Sequence, residues 1–392
     1  MIKKLCQLWM LLISLVTSHT NKERAHQNKE CCQMEEERFY YEVSCSAPKL
    51  SPGEYVSVEY IGESGTLRCF GSEFIANGMG HGHDGVCRNE DSRYGLPKAI
   101  EAIWVSFADR KVYAFSSLIP YDTILALFRN EGEPSVSTQS EEKTHVMNCF
   151  DLCFLPGGKV MLYVKAPAKS VLLDWSANGV EVTDDKILHR IYNRYNGVND
   201  MKSYFDKMSS YPEDEFWLSY LRKHGSPAQL IERYIQRFNY SLNFEFEDSA
   251  TSICKVKSQY TNGEYYWATP KYNEDFEFPS RIKEFRAEWD TQKYHYTCFM
   301  YFNEKEMLRV FDEAYGDDRM QKGELKINVC KYNNFFDIFL NVGEKSIRLE
   351  KTQIRVFQDP VEDPNGKETL IYKNYEDDHT NLFADDDEYV VK

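Results

Sequence analysis

The chain has 392 residues, enough for two domains of ordinary size. Hydrophobic residues make up 42% of it and aromatic residues 15%, which excludes a chain that is disordered throughout. Its 47 Lys and Arg are outnumbered by 62 Asp and Glu, and the net charge of -15 argues against a nucleic-acid partner, because phosphates require a basic surface.

The first residues have the pattern of an export signal. Lys3 and Lys4 precede an apolar run over residues 5–16, after which the chain becomes polar. This order predicts a secretory signal peptide over residues 1–18 and an exported protein. The run is shorter than the roughly 20 apolar residues that span a bilayer, so we expect no transmembrane span. No cysteine directly follows the run, which leaves lipid anchoring unsupported.

Comparison of the chain with itself indicates an internal duplication. Residues 100–115 and 282–299 each predict two strands joined by a tight turn. A short predicted helix follows each time, and in the second copy Asn303 has the N-cap position. A second strand pair comes next, where residues 148–154 align with residues 334–340 without a gap.

The repeated order of strand pair, helix and strand pair predicts the domain organisation. We expect an α+β protein of two related, mostly antiparallel β domains, each with a packed helix, over residues 39–183 and 239–358. Residues 184–238 predict a short helical connector. Residues 359–392 are rich in acids and predict a flexible tail.

Glycines mark the turn inside each second strand pair. Pro156, Gly157 and Gly158 separate the two strands of the first copy, and Gly343 has the matching place in the second. Pro-Gly suits a type II turn, because proline presets φ and glycine accepts a positive φ. We therefore predict a structural role for these four residues.

The cysteines favour packing over chemistry. Cys149 and Cys153 align with Phe335 and Phe339, so we predict that they are small buried hydrophobic residues. The export signal permits disulfides elsewhere. Three cysteines of the opening region allow one bridge, with the pairing left open: Cys45, Cys69 and Cys87.

One polar cluster is a candidate metal site. His81, His83 and Asp84 lie close together in a glycine-rich stretch, and imidazole and carboxylate groups are ligands of zinc. The alternative is a flexible loop whose polar residues are solvated. No other feature suggests a cofactor, and we predict none.

Familiar catalytic motifs are missing from the sequence, so we lean against an enzyme and predict no catalytic residue.

Asp151 and Asp337 stand between apolar neighbours in strands, which predicts that they face solvent. Three consecutive aromatic residues either stack on sugars or pack within a strand: Tyr265, Tyr266 and Trp267.

Three segments resemble a known family when taken in order: residues 46–58, residues 96–104 and residues 155–160 (LPGGKV). They are similar to the domain of unknown function 2931 family of bacterial envelope proteins, common in Bacteroidetes. The resemblance covers roughly residues 39–175, and it brings no catalytic residues. Some family members are encoded near secretion-system effectors, which implies an immunity or accessory role.

Two functional hypotheses follow from the sequence. The first is a non-enzymatic binding protein of the bacterial periplasm or cell envelope. Its partner is another envelope or secreted protein, with an immunity or accessory role toward a secreted effector. The alternative is a carbohydrate-binding module or glycan hydrolase, whose ligand is a glycan.

Overall fold

A computed structural model describes residues 37–63, 65–69, 73–84, 93–130, 146–210, 215–268, 278–360, 368–376 and 383–385. The predicted signal peptide lies outside these ranges. Within them, no helix is both long and apolar enough to cross a membrane. The described residues form several mostly antiparallel sheets and six helices, which confirms the α+β class.

The first repeat contains thirteen strands and one helix among the described residues. In chain order these are β1 (Arg38–Phe39), β2 (Glu42–Ser46), β3 (Gly53–Gly62), β4 (Gly65–Cys69), β5 (Glu73–Ile75), β6 (His83–Asp84), β7 (Tyr94–Gly95), β8 (Ala99–Ser106), β9 (Lys111–Leu118), α1 (Tyr121–Asn130), β10 (Cys149–Phe154), β11 (Lys159–Ala166), β12 (Lys169–Asn178) and β13 (Val180–Glu181).

Four helices and the second repeat follow. They are α2 (Asp185–Tyr192), α3 (Met201–Met208), α4 (Glu215–His224), α5 (Ala228–Tyr234), β14 (Tyr240–Phe246), β15 (Ser252–Tyr260), β16 (Tyr265–Ala268), β17 (Ile282–Asp290), β18 (Tyr294–Tyr301), α6 (Glu304–Tyr315), β19 (Gly323–Val329), β20 (Phe336–Val342), β21 (Lys345–Leu349), β22 (Gln353–Pro360) and β23 (Thr369–Lys373).

Local sequence explains the helix that follows the strand pair β17 and β18 in the second repeat. Helix α6 begins at the predicted cap, because the side chain of Asn303 accepts a hydrogen bond from the backbone N–H of Glu306. It ends at Gly316, whose φ of 55° suits glycine. Met307, Val310 and other apolar residues of α6 are buried on its inner face.

The two repeats have the same sheet topology. The first contains the antiparallel order β13-β9-β8-β3-β4 and the second the antiparallel order β22-β18-β17-β15-β16. Each also contains a four-stranded arrangement, β12-β11-β10-β2 and β21-β20-β19-β14. In both, only the last pair of strands is parallel. One antiparallel and one mixed arrangement of strands, with one helix, thus recur in the same connection order.

This topology corrects the residue alignment within the repeat. The sequence alignment of residues 148–154 with residues 334–340 places β10 against β20. However, β10 pairs in parallel with the opening strand β2 of its repeat, and β19 does so with β14. The equivalent strand is therefore β19. All these strands are short and apolar, so the local pattern cannot distinguish one from the next.

The predicted turn residues lie at turns. Pro156, Gly157 and Gly158 form one 3-10 turn between β10 and β11, and Gly157 has the φ of 75° that the second central position of a type II turn requires. Gly343 lies between β20 and β21 with a φ of 57°. In terms of topology, these two turns are not equivalent, because one precedes β11 and the other follows its counterpart β20.

The repeats are joined by one strand pair and a shared core. Strand β12 pairs with β16, which continues the sheet of the first repeat into that of the second as one sheet of eleven strands. Met79, Tyr163 and Leu172 of the first repeat belong to the same hydrophobic cluster as Phe285 and Trp289 of the second. The domain boundaries at 39–183 and 239–358 stay a prediction.

The helices between the repeats pack on both of them. Phe205 on α3 and Trp217 on α4 share a cluster with Phe107, which lies between β8 and β9. Tyr234 at the end of α5 is instead part of the cluster that the two repeats share.

The prediction of a flexible tail over residues 359–392 is wrong for part of this segment. Strand β23 pairs with β22, and residues Phe383, Ala384 and Asp385 are buried. The Phe383 ring lies 5.9 Å from that of Tyr234. Phe383 and Ala384 are apolar residues within an acidic stretch, and their burial stabilises the packing of this segment on the fold.

Candidate functional site

The candidate metal segment is packed against the fold. His83 and Asp84 form β6, which pairs with Cys45 and Ser44 of β2. Met79 is fully buried, and the His81 ring stacks on the ring of Tyr265 with centroids 6.2 Å apart. The side chains of His83 and Asp84 lie outside the described part, so a metal site at His81, His83 and Asp84 stays a prediction.

The alternation of its strand predicts that Asp151 faces solvent. This prediction is wrong, because Asp151 is fully buried. The segment before β6 covers it: Gly82 N–H donates to Asp151 Oδ2 over 2.8 Å, and Lys165 Nζ lies 3.5 Å from the same oxygen. Burial lowers the pKa of Lys165, but Asp151, Cys149 and Tyr265 together outweigh this effect, so the pKa is raised. Asp337, its partner in the sequence alignment, is half-exposed beside Arg348.

Of the two cysteines of β10, Cys153 has the buried packing role that the sequence predicts, whereas Cys149 is only half-buried. Cys153 is fully buried in the core that the repeats share. Burial raises the pKa of Cys149 to about 12 and raises that of Cys153 as well. Both are therefore thiols at neutral pH and not the thiolates that nucleophilic chemistry needs.

A row of basic and aromatic side chains crosses the outer face of the sheet in the second repeat. Strand β17 shows the reason, since Phe285, Ala287 and Trp289 are buried while the residues between them are half-exposed. Cross-strand register places six such residues in one line, which we call the basic row: Trp267, Lys257, Arg286, Phe299, Arg355 and Lys373.

The aromatic rings of the basic row are covered by cations. Arg286 and Arg355 lie 5.0 and 4.7 Å from the centroid of the Phe299 ring. Lys257 lies 5.3 Å from the Trp267 ring. These are cation–π distances, and they hold flexible cationic side chains in fixed positions on the sheet.

The basic row contains four cations and no acid, so its charge is opposite in sign to that of the whole chain. Lys255 lies one row away, 5.0 Å from the Trp267 ring, and the acids on the neighbouring positions of β17 are Glu284 and Glu288. Arg286 pairs with Glu288 at 2.7 Å. Burial lowers the pKa of Lys257, and Arg286 and Lys255 lower it further against the attraction of Glu284.

The three aromatic residues singled out in the sequence have separate roles. Tyr266 is buried. The hydroxyl of Tyr265 donates to the backbone oxygen of Ala166 over 2.9 Å. Trp267 alone belongs to the basic row, where lysines cover its ring. Strand packing therefore accounts for two of the three.

A second cluster lies on the same outer face and was missed in the sequence. The Cys254 thiol donates to Asp290 Oδ2 over 3.0 Å, and His295 Nδ1 lies 2.7 Å from Asp290 Oδ1. Burial, reinforced by Asp290, raises the pKa of Cys254 to about 12, which argues against a nucleophilic cysteine. Asp290 and His295 are opposite each other in the hairpin of β17 and β18, which is a local feature of the sequence. Cys254 joins them because β15 pairs with β17, and the sequence pattern does not predict that pairing.

These features define a two-repeat α+β protein with a basic outer sheet face. The chain belongs to a family described as "Protein of unknown function (DUF2931)", whose profile matches residues 19–220. The match includes the first repeat and ends inside α4, so the basic row and the cysteine cluster lie beyond it. No curated protein and no solved structure matches this chain.

Proposed function

We propose that this protein is a non-enzymatic binding protein, exported to the bacterial cell envelope, that holds an anionic partner on its basic row. The partner class that we favour is an acidic segment of another envelope or secreted protein. An immunity or accessory role toward a secreted effector is one form of this function. The observation that carries the proposal is the line of four cations across one sheet face of a chain with a net charge of -15.

The basic row has the chemistry of a protein interface. Arginine and aromatic residues are enriched where proteins bind one another, and guanidinium groups bind carboxylates through two parallel hydrogen bonds. Because Arg286 and Arg355 are already stacked on Phe299, less conformational entropy is lost when a partner binds. Their positive field also attracts an acidic partner over a distance.

The covered rings favour an anion over a neutral sugar. A carbohydrate-binding module needs ring faces that are free to stack on sugars. The ring of Trp267 has Lys255 and Lys257 over it, and that of Phe299 has two guanidinium groups. The alternative of a carbohydrate-binding module or glycan hydrolase therefore receives less support from this face.

Titration with defined probes tests the proposal. The mature protein is titrated by calorimetry with a glutamate-rich peptide, a neutral oligosaccharide and an anionic oligosaccharide, at low and high salt. We expect the peptide to bind and its affinity to fall with salt. The double variant Arg286→Gln/Arg355→Gln should weaken it roughly tenfold or more, about 1.4 kcal/mol.

Arg309→Gln is the matched control, because this exposed arginine on α6 pairs with Glu313 of its own helix and lies outside the basic row. It should bind the peptide like the wild type. Equal affinity of the double variant and the wild type would contradict the proposal. Tight binding of the neutral oligosaccharide that both variants retain would support the glycan alternative, and tight binding of only the anionic oligosaccharide would change the partner class.

A further inference from the structure

Three potential metal ligands meet at one end of the outer sheet face in the second repeat. Cys254 lies on β15, Asp290 is the last residue of β17 and His295 lies on β18. Their sulfur, oxygen and nitrogen donor atoms all lie within 4.8 Å of one another. The side chains of Asp290 and His295 are 49% and 33% exposed, so an ion from solvent can reach them.

A β-bulge brings the cysteine to this face. The register of β15 against β17 shifts between Ile253 and Lys255, which leaves Cys254 as the extra residue. A bulge redirects a side chain that strict alternation would point to the core. Its thiol consequently contacts Asp290, which is itself directly opposite His295 across the hairpin.

The donor set matches the preference of zinc. Thiolate, imidazole and carboxylate are its usual ligands, at about 2.3 Å for sulfur and about 2.0–2.2 Å for nitrogen and oxygen. Donors around one tetrahedral ion are then roughly 3–4 Å apart. The separations of 3.0 Å between Cys254 Sγ and Asp290 Oδ2, and of 2.7 Å between His295 Nδ1 and Asp290 Oδ1, approach this range before any ion is bound.

The neighbouring strand offers a second carboxylate. Asp359 lies directly opposite His295 in the register of β18 and β22. Its Oδ1 is enclosed and has no hydrogen-bond partner among the described residues. A histidine that binds zinc through Nδ1 carries its proton on Nε2 and commonly donates it to a carboxylate. Asp359 is positioned on the correct strand pair for that role.

We propose that Cys254, Asp290 and His295 bind one Zn²⁺ ion and leave its fourth position to water. On binding, the thiol proton of Cys254 passes to solvent while sulfur bonds to zinc, and the His295 proton moves from Nδ1 to Nε2. One proton is therefore released per ion. This inference does not rest on the proposed partner of the basic row.

Metal titration of the mature, chelator-treated protein tests the site. We expect one Zn²⁺ per chain at this site, release of one proton, and, with Co²⁺ in place of zinc, a sulfur-to-cobalt charge-transfer band. Cys254→Ser and His295→Ala should each remove the band and weaken zinc binding by roughly 100-fold or more, while Asp359→Asn should weaken it roughly 10- to 100-fold and keep the band.

Two controls separate this site from others. Cys330→Ser removes a different half-exposed thiol, and His81→Ala removes a ligand of the site predicted from sequence. Both variants should keep the band and the affinity. A band that survives Cys254→Ser, or that Cys330→Ser removes, would overturn the proposal. Circular dichroism verifies that each variant is folded, and failure here leaves peptide binding by the basic row intact.

Discussion

Gly263 lies where the backbones of the two repeats come close together, and its replacement by alanine is an informative perturbation of the fold. It belongs to the turn between β15 and β16 and has a φ of 83°. An added Cβ would lie 2.2 Å from the backbone oxygen of Met79 and 2.6 Å from its carbonyl carbon. Backbone atoms cannot rotate away as a flexible side chain can, so the two backbone segments must move apart.

Two separate costs set the magnitude of Gly263→Ala. An L residue at positive φ costs about 1–2 kcal/mol. Forcing a methyl group into a packed contact costs about 1–3 kcal/mol more. Gly157→Ala incurs only the first cost, because its φ is 75° and no atom lies within 4 Å of the added Cβ. We therefore expect Gly263→Ala to lose about 1–3 kcal/mol more than Gly157→Ala.

Urea denaturation followed by tryptophan fluorescence measures this difference. Both variants should have a lower midpoint than the wild type, with Gly263→Ala clearly the lower of the two. If the two midpoints coincide, the methyl group added at Gly263 meets no steric cost at Met79 and the reasoning is wrong.

Three further predictions concern buried charge and thiols. Asp151→Ala should lower the free energy of unfolding by about 3–5 kcal/mol, because it leaves the buried ammonium group of Lys165 without its carboxylate partner. Asp337→Ala should lower it by only about 0–1 kcal/mol, and thermal denaturation of both variants checks the contrast. Burial raises the pKa of Asp385. The contribution of Asp385 to the free energy of unfolding should therefore be greatest below the pKa of an unfolded aspartate, and it should fall as pH rises through the raised value. When urea midpoints are measured over a series of acidic pH values, Asp385→Asn should remove that decline. Cys45 and Cys69 are both buried, on the contacting strands β2 and β4. In an oxidising compartment we expect a disulfide between them worth about 3–4 kcal/mol, detected as one linked peptide pair by mass spectrometry without reductant; two free thiols in the secreted protein would contradict this.

Local patterns in the sequence were sufficient for the α+β class and for the repeated order of elements. Alternation predicts strands, and a cap such as Asn303 predicts where a helix begins, because both depend on neighbours in the chain. The same patterns misplaced one strand of the alignment, since β10, β19 and β20 look alike until their partners are known.

The sequence by itself therefore determined the kinds of element and their order, and it located the turn at Gly157. Tertiary structure decided which polar residues are covered and which meet. Asp151 is buried because a distant segment folds over it, and Cys254 reaches Asp290 through a bulge and a strand pairing that no spacing encodes. Alternation specifies two faces of a strand, but only packing specifies which of them faces water.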